Sequence, residues 1–136
     1  MKKTVVEDIG LLIIRLGAGS MILTHGYPKL MRLFGDEPIK FMDFLGLGPV
    51  VSLSLAVFAE FLCAILIMIG FKTRLAAIPL MATMLTAALV AHASDPFGRK
   101  ELPLLYFLVF LGILIFGAGK FSIDGFTDRK SMYYKG

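Results

Sequence analysis

The sequence predicts an all-α protein, an integral membrane four-helix bundle in a single domain. Residues 75–91 read LAAIPLMATMLTAALVA, an uncharged run that ends on His92. Three more apolar runs accompany it: 9–24, broken only by Arg15; 50–69, broken only by Glu60; and 102–119. Hydrophobic residues make up 57% of the chain and charged residues 18%, with a mean hydropathy of +0.82. An ordinary globular domain carries about 25% charged residues. A helix rises about 1.5 Å per residue, so about 20 apolar residues cross a bilayer core. A buried soluble helix resembles any one of these runs, but four in 136 residues leave little material for a water-facing surface.

Residues 1–8 form a short polar lead in which Asp8 is the expected cap of a first helix over 9–33. Lys2 and Lys3 before an apolar run resemble a cleaved leader. Glu7, Asp8 and Arg15 interrupt that pattern, so the segment reads as a transmembrane helix. Pro28 falls inside it and implies a kink or a break. The connection over 35–49 is punctuated by glycine and proline. Its stretch IKFMDFLGL fits a short surface helix or a plain loop equally well. A second helix, 50–69, ends at Gly70. The tight turn at 71–74 makes the third helix, 75–92, its antiparallel neighbour. A fourth helix covers 102–119, with Pro103 at its start, a preferred proline position. Residues 120–136 form a polar tail, expected in the cytoplasm.

The charges orient the bundle. Lys2, Lys3, Lys72, Arg74, Lys120, Arg129, Lys130 and Lys135 fall on one side, and Lys29, Arg32, Lys40, Arg99 and Lys100 on the other. Eight basic residues against five put both termini in the cytoplasm by the positive-inside rule. The basic residues cluster at the ends of apolar runs, with no interleaved aromatics, so the net charge of +4 does not point to nucleic acid. Cys63 is the only cysteine. It allows neither an intramolecular disulfide nor a Cys-x-x-Cys pair, and reads as a small buried hydrophobe.

The strongest chemical signal is charge inside the apolar runs. An ionisable group there costs several kcal/mol unless it is paired or hydrated. Arg15 and Glu60 are expected about one helical turn apart in depth, close enough to form an ion pair. His25 and Lys29 lie about 80° and 40° from Arg15 around the first helix. With His92, Glu101, Tyr27 and Tyr106 they make a candidate polar wall near the non-cytoplasmic end. Taken singly, His92 and Tyr27 are ordinary interface residues. Two histidines without a close spacing such as H-x-x-x-H give no metal site.

The order and spacing of several short motifs resemble the DoxX family of small bacterial membrane proteins. These are R-L-G at 15–17, H-G-Y-P-K at 25–29, Glu60, G-F-K-T-R-L-A-A at 70–77, His92 and G-A-G-K-F-S-I-D at 117–124. Ala118 stands where the family more often has proline. The resemblance implies a four-helix bundle in the bacterial inner membrane. It carries over Arg15, His25, Lys29, Glu60, His92, Lys120, Ser122 and Asp124 as pattern positions. Some relatives are linked to thiosulfate oxidation with quinone as acceptor, and others to redox-stress assemblies. Lys72, Arg74 and Lys120 also form a basic collar that contact with anionic lipid heads explains. Ser122 and Asp124 can take up free backbone groups beyond the last helix.

Three function classes follow. The first is the membrane subunit of a redox system, with quinone as the candidate cofactor and a soluble redox or sulfur-transfer subunit as the candidate partner. With one cysteine and no nucleotide motif, electrons would have to come through quinone or that partner. The second is a structural or assembly protein without chemistry of its own. The third is a small-molecule or proton-coupled transporter, which with four helices requires a homo-oligomer. The sequence leaves open whether the protein is an enzyme.

Overall fold

The computed structural model describes residues 2–134. Lys135, counted in the charge bias above, lies outside them. Among the described residues there are five helices and no strand: α1 (Val5–Leu33), α2 (Pro49–Ile69), α3 (Thr73–Ala91), α4 (Phe97–Phe116) and α5 (Ile123–Tyr134). Of these, α2 and α3 are long and apolar enough to cross a membrane.

Helix α1 begins at Val5, ahead of the expected start, because Thr4 and Glu7 form a capping box. Asp8 is not the cap. It is buried and accepts from the backbone N–H of Lys120 at 2.9 Å. The helix continues through Pro28 to Leu33 without a break. The connection to α2 contains turns but no helix, so its amphipathic stretch is a loop. Pro49 opens α2 at a position where its missing N–H costs nothing.

Gly70 closes α2 in the left-handed region, at φ 72°. Phe71 N–H donates to the Leu66 carbonyl and Gly70 N–H to that of Ile67, a Schellman closure. A Cβ at Gly70 would also strike Ser122 and the Arg15 guanidinium, so only glycine fits there. Helix α4 starts at Phe97, and Pro103 lies in its interior rather than at its start. The tail forms α5, which begins on Asp124 and its neighbours.

The core lies where α1, α2, α3 and α4 converge. It is built from Ile22, Cys63, Ile67, Leu80, Phe110 and Ile113 with alanines at 59, 64, 76 and 77. Small residues at these positions let helix backbones approach closely. Large apolar side chains remain outside: Ile13, Leu75, Leu89 and Leu108 are each at least 60% exposed. Two stretches depart from α-helical bonding, Phe58–Cys63 in α2 and Ala87–Ala91 in α3, both π-helical. His92 N–H reaches back to the Ala87 carbonyl at 3.0 Å, one residue farther than an α-helix allows.

Candidate functional site

Arg15 and Glu60 do not pair. The reason is register. Gly26 of α1 packs directly on the Glu60 carbonyl, so tightly that a Cβ there would clash. Arg15 lies eleven residues before Gly26, roughly 16 Å lower along the helix. It therefore meets the end of α2 instead of its middle. Its Nε donates to the Ile67 carbonyl at 2.9 Å and Nη2 to that of Met68 at 2.9 Å. Nη1 donates to the carbonyls of Ala118 at 2.6 Å and Phe121 at 3.1 Å. Arg15 is 1% exposed. Its planar fork satisfies carbonyls in the last turn of α2 and in the segment that follows α4.

The segment that follows α4 completes this end of the bundle. The Asp124 carboxylate accepts from the N–H groups of Lys72 and Thr73 at 2.8 and 2.9 Å, capping α3 from a distance in sequence. Ser122 Oγ donates to the Gly119 carbonyl and accepts from Gly125 N–H. The Thr73 hydroxyl is buried without a partner among the described residues. Of the basic collar, Arg74 donates to the Ile115 carbonyl, while the Lys120 side chain is exposed.

Glu60 finds its partner on the HGYPK stretch. Lys29 Nζ forms an ion pair with Glu60 Oε2, and the carboxylate is almost fully buried. The lysine also lies 6.0 Å from the centre of the Phe41 ring, close enough for a cation–π contact. The pair lines a cavity of about 420 Å³ between α2 and α3. His92 lines the same cavity, so three of the expected polar residues share one space. Both π-helical stretches border it, and Glu60 sits inside one of them. Such local rewinding often marks functional sites, because it re-aims side chains that a regular helix would turn elsewhere.

His92 Nδ1 lies 2.7 Å from Asp95 Oδ2. With the carboxylate ionised, Nδ1 carries the proton, and Nε2 is the nitrogen left for a ligand. The His92 hydrogen bond holds the Asp95 carboxyl below its ordinary range, and Arg99 and Lys100 act in the same direction.

The other expected wall residues lie elsewhere. His25, Tyr27 and Glu101 are exposed. Tyr106 borders a separate apolar groove between α1 and α4, with Ile14, Gly17 and Met21. Helical angle alone placed His25 near Lys29, but His25 is exposed, while Gly26 and Lys29 meet the π-helical stretch of α2 at Glu60. Sequence reasoning missed the aromatic wall of the cavity, formed by Phe41, Phe44 and Phe58. The signal was the pair of phenylalanines in IKFMDFLGL, a stretch whose pattern fitted a short surface helix and a plain loop equally well.

Fold and site together define a class: small all-helical proteins with apolar helices around an ion-paired, aromatic-walled cavity. The chain belongs to the DoxX family, whose model matches residues 10–93. It is 30% identical to "Inner membrane protein YqjF" of Escherichia coli over 96% of this chain and 99% of that protein. It is 33% identical to "Inner membrane protein YphA" of the same organism over 84% and 87% of the two chains. Against "Putative oxidoreductase CatD" of Bacillus subtilis the identity is 25% over 90% of each chain. No solved structure matches.

Proposed function

We propose that this is a four-helix inner-membrane protein with both termini in the cytoplasm, acting as the membrane subunit of a redox system that binds a quinone head in the Lys29–Glu60–His92 cavity. The observation that carries the reading is the cavity itself. A volume of about 420 Å³ falls within the usual range for small-molecule sites. Its polar groups suit a quinone: the Lys29 ammonium as donor to a carbonyl oxygen, and Glu60 and His92 Nε2, whose ring proton sits on Nδ1 against Asp95, as acceptors for the hydroxyls of the reduced head. Phe41, Phe44 and Phe58 offer ring faces to a flat head. When bound, quinone supplies the electron acceptor that the chain's side chains do not.

The membrane setting draws on α2 and α3, on the exposed apolar side chains of α1 and α4, and on the names of the two Escherichia coli relatives. Helix α4 carries Arg99, Lys100 and Glu101 in its first turns, so its apolar part begins at Leu102. The redox setting draws on the name of the Bacillus subtilis relative. A soluble redox or sulfur-transfer subunit, and self-association, belong to the same proposal.

The test is lipid extraction and mass analysis of the purified protein, followed by quinone titration. Lys29→Met and His92→Ala are expected to weaken binding at least tenfold. His25→Ala, outside the cavity, is expected to leave it unchanged. If no quinone co-purifies and the variants titrate like wild type, the quinone reading is wrong.

A further inference from the structure

We infer that the cavity takes its ligand sideways from the bilayer, through the gap between α2 and α3, and that the ligand is a lipid-soluble molecule with one polar head and a hydrocarbon tail lying in that gap. This rests on the proposal that the cavity is a quinone-class head site. It adds where the ligand enters and where its tail runs.

The first observation is a divergence of helices. Phe58–Cys63 and Ala64–Ile69 pack against α3, whereas the outer part of α2, Pro49–Val57, stands away from it. On the other side of the gap, Ala87–Ala91 packs against α4. Helix α2 stays on α1 and α3 stays on α4 along their lengths, but the contact between α2 and α3 is made by Phe58–Ile69 and Thr73–Thr86, so the cavity lies where the two diverge.

The second observation is the rim. Leu55 and Phe58 on α2 are 46% and 47% exposed, and Ala82 on α3 is exposed, yet all three line the cavity. The cavity therefore opens between the two helices that are apolar enough to cross a membrane, at a level where the surroundings are hydrocarbon.

The third observation is the chemistry of the α3 wall. Thr83 and Thr86 tie their hydroxyls back to the carbonyls of Pro79 and Ala82, each at 2.8 Å. With Ala82 and Ala87 beside them, they present a smooth, non-polar strip with no free donor. Such a strip suits a tail and offers a polar solute no donor.

Toward the connection the cavity is walled. Phe41, Met42 and Phe44 line it there, and Phe44 N–H donates to Ser52 Oγ at 2.9 Å. Ser52 Oγ in turn donates to the Gly48 carbonyl at 2.7 Å, which holds the connection against the start of α2. A water-borne ligand would meet three apolar side chains, while a lipid-borne ligand meets an open rim.

The experiment is photolabelling in lipid nanodiscs. The probe is a decyl-tailed dimethoxybenzoquinone with a diazirine at the tail end, and labelled residues are read by peptide mass spectrometry. The label is expected on the 55–58 and 82–86 stretches. An excess of the same quinone without a tail should suppress it, and Ala82→Phe should cut its yield at least tenfold. Label around Tyr106 on α1 and α4, still suppressed by the tail-less quinone, would overturn the sideways route while leaving the head site standing. Label spread over exposed apolar residues and untouched by the tail-less quinone would overturn both. Lys29→Met separates the two parts independently, since it weakens the head site without altering the rim and should lower the yield of suppressible label on the 55–58 and 82–86 stretches.

Discussion

Arg15 shows how a buried charge is made tolerable without a buried counter-ion. Its guanidinium donates to four backbone carbonyls, two in the last turn of α2 and two in the segment between α4 and α5. Hydrogen bonds to a charged group contribute about 1.5–3 kcal/mol each in mutational studies, and the values do not add. Removing the side chain orphans all four acceptors at once, whereas lysine keeps the charge but cannot span the fork. Arg15→Ala should therefore cost a few kcal/mol, because a buried acceptor left unsatisfied costs about 1–3 kcal/mol. Arg15→Lys should recover only part of that. Thermal unfolding in detergent checks both, and an Arg15→Ala protein as stable as wild type would sink the account. Lys29 and Glu60 solve the same problem by direct pairing, which leaves them available to a ligand in a way that Arg15 is not.

Asp124 joins elements that are far apart in the chain. It supplies the cap that α3 lacks in its own sequence, since Lys72 stands at the cap position and offers no side-chain acceptor. Asp124 N–H also donates to the Gly70 carbonyl at 2.8 Å, so the closing segment holds the α2–α3 turn from both sides. Loss of a helix cap costs about 0.5–2 kcal/mol. Asp124→Ala should lower stability by that amount and speed amide hydrogen exchange at Lys72 and Thr73 more than in the rest of α3. Unchanged exchange at those two amides would mean that the cap carries no weight. The π-helical stretches act at the same level. They are local departures from regular bonding that turn Glu60 and His92 toward one space.

Across the molecule, the start of α1, the ends of α2 and α4 and the start of α3 meet at one end. The contacts of Asp8, Arg15 and Asp124 hold them there. Two of the acids at this end, Asp8 and Asp124, are occupied by backbone N–H groups. Lys72, Arg74 and Lys120 lie outside as exposed residues. An exposed basic collar suits the cytoplasmic side that the proposed topology gives this end. Reporter fusions at either terminus are expected to be active only as cytoplasmic reporters. A C-terminal periplasmic reporter that scores active would reverse the topology.

Composition and apolar periodicity were enough to read an all-helical chain. The ordered motifs at 15–17, 25–29 and 70–77 were enough to read the family. Those features are local: helix formation and hydropathy depend on near neighbours, and glycine at 70 announces its turn by its own backbone freedom. The pairing of charges was not local. Arg15 and Glu60 are both legible as buried ionisable residues, but their partners depend on how far α1 slides along α2. That slide is fixed by Gly26 meeting the Glu60 carbonyl. A shift of about four turns separates an Arg15–Glu60 pair from the observed Lys29–Glu60 pair, and no count of apolar residues resolves it. The cavity was hidden for the same reason. It arises where two π-helical stretches let α2 and α3 part, and its aromatic wall comes from a connection whose packing only the folded chain determines.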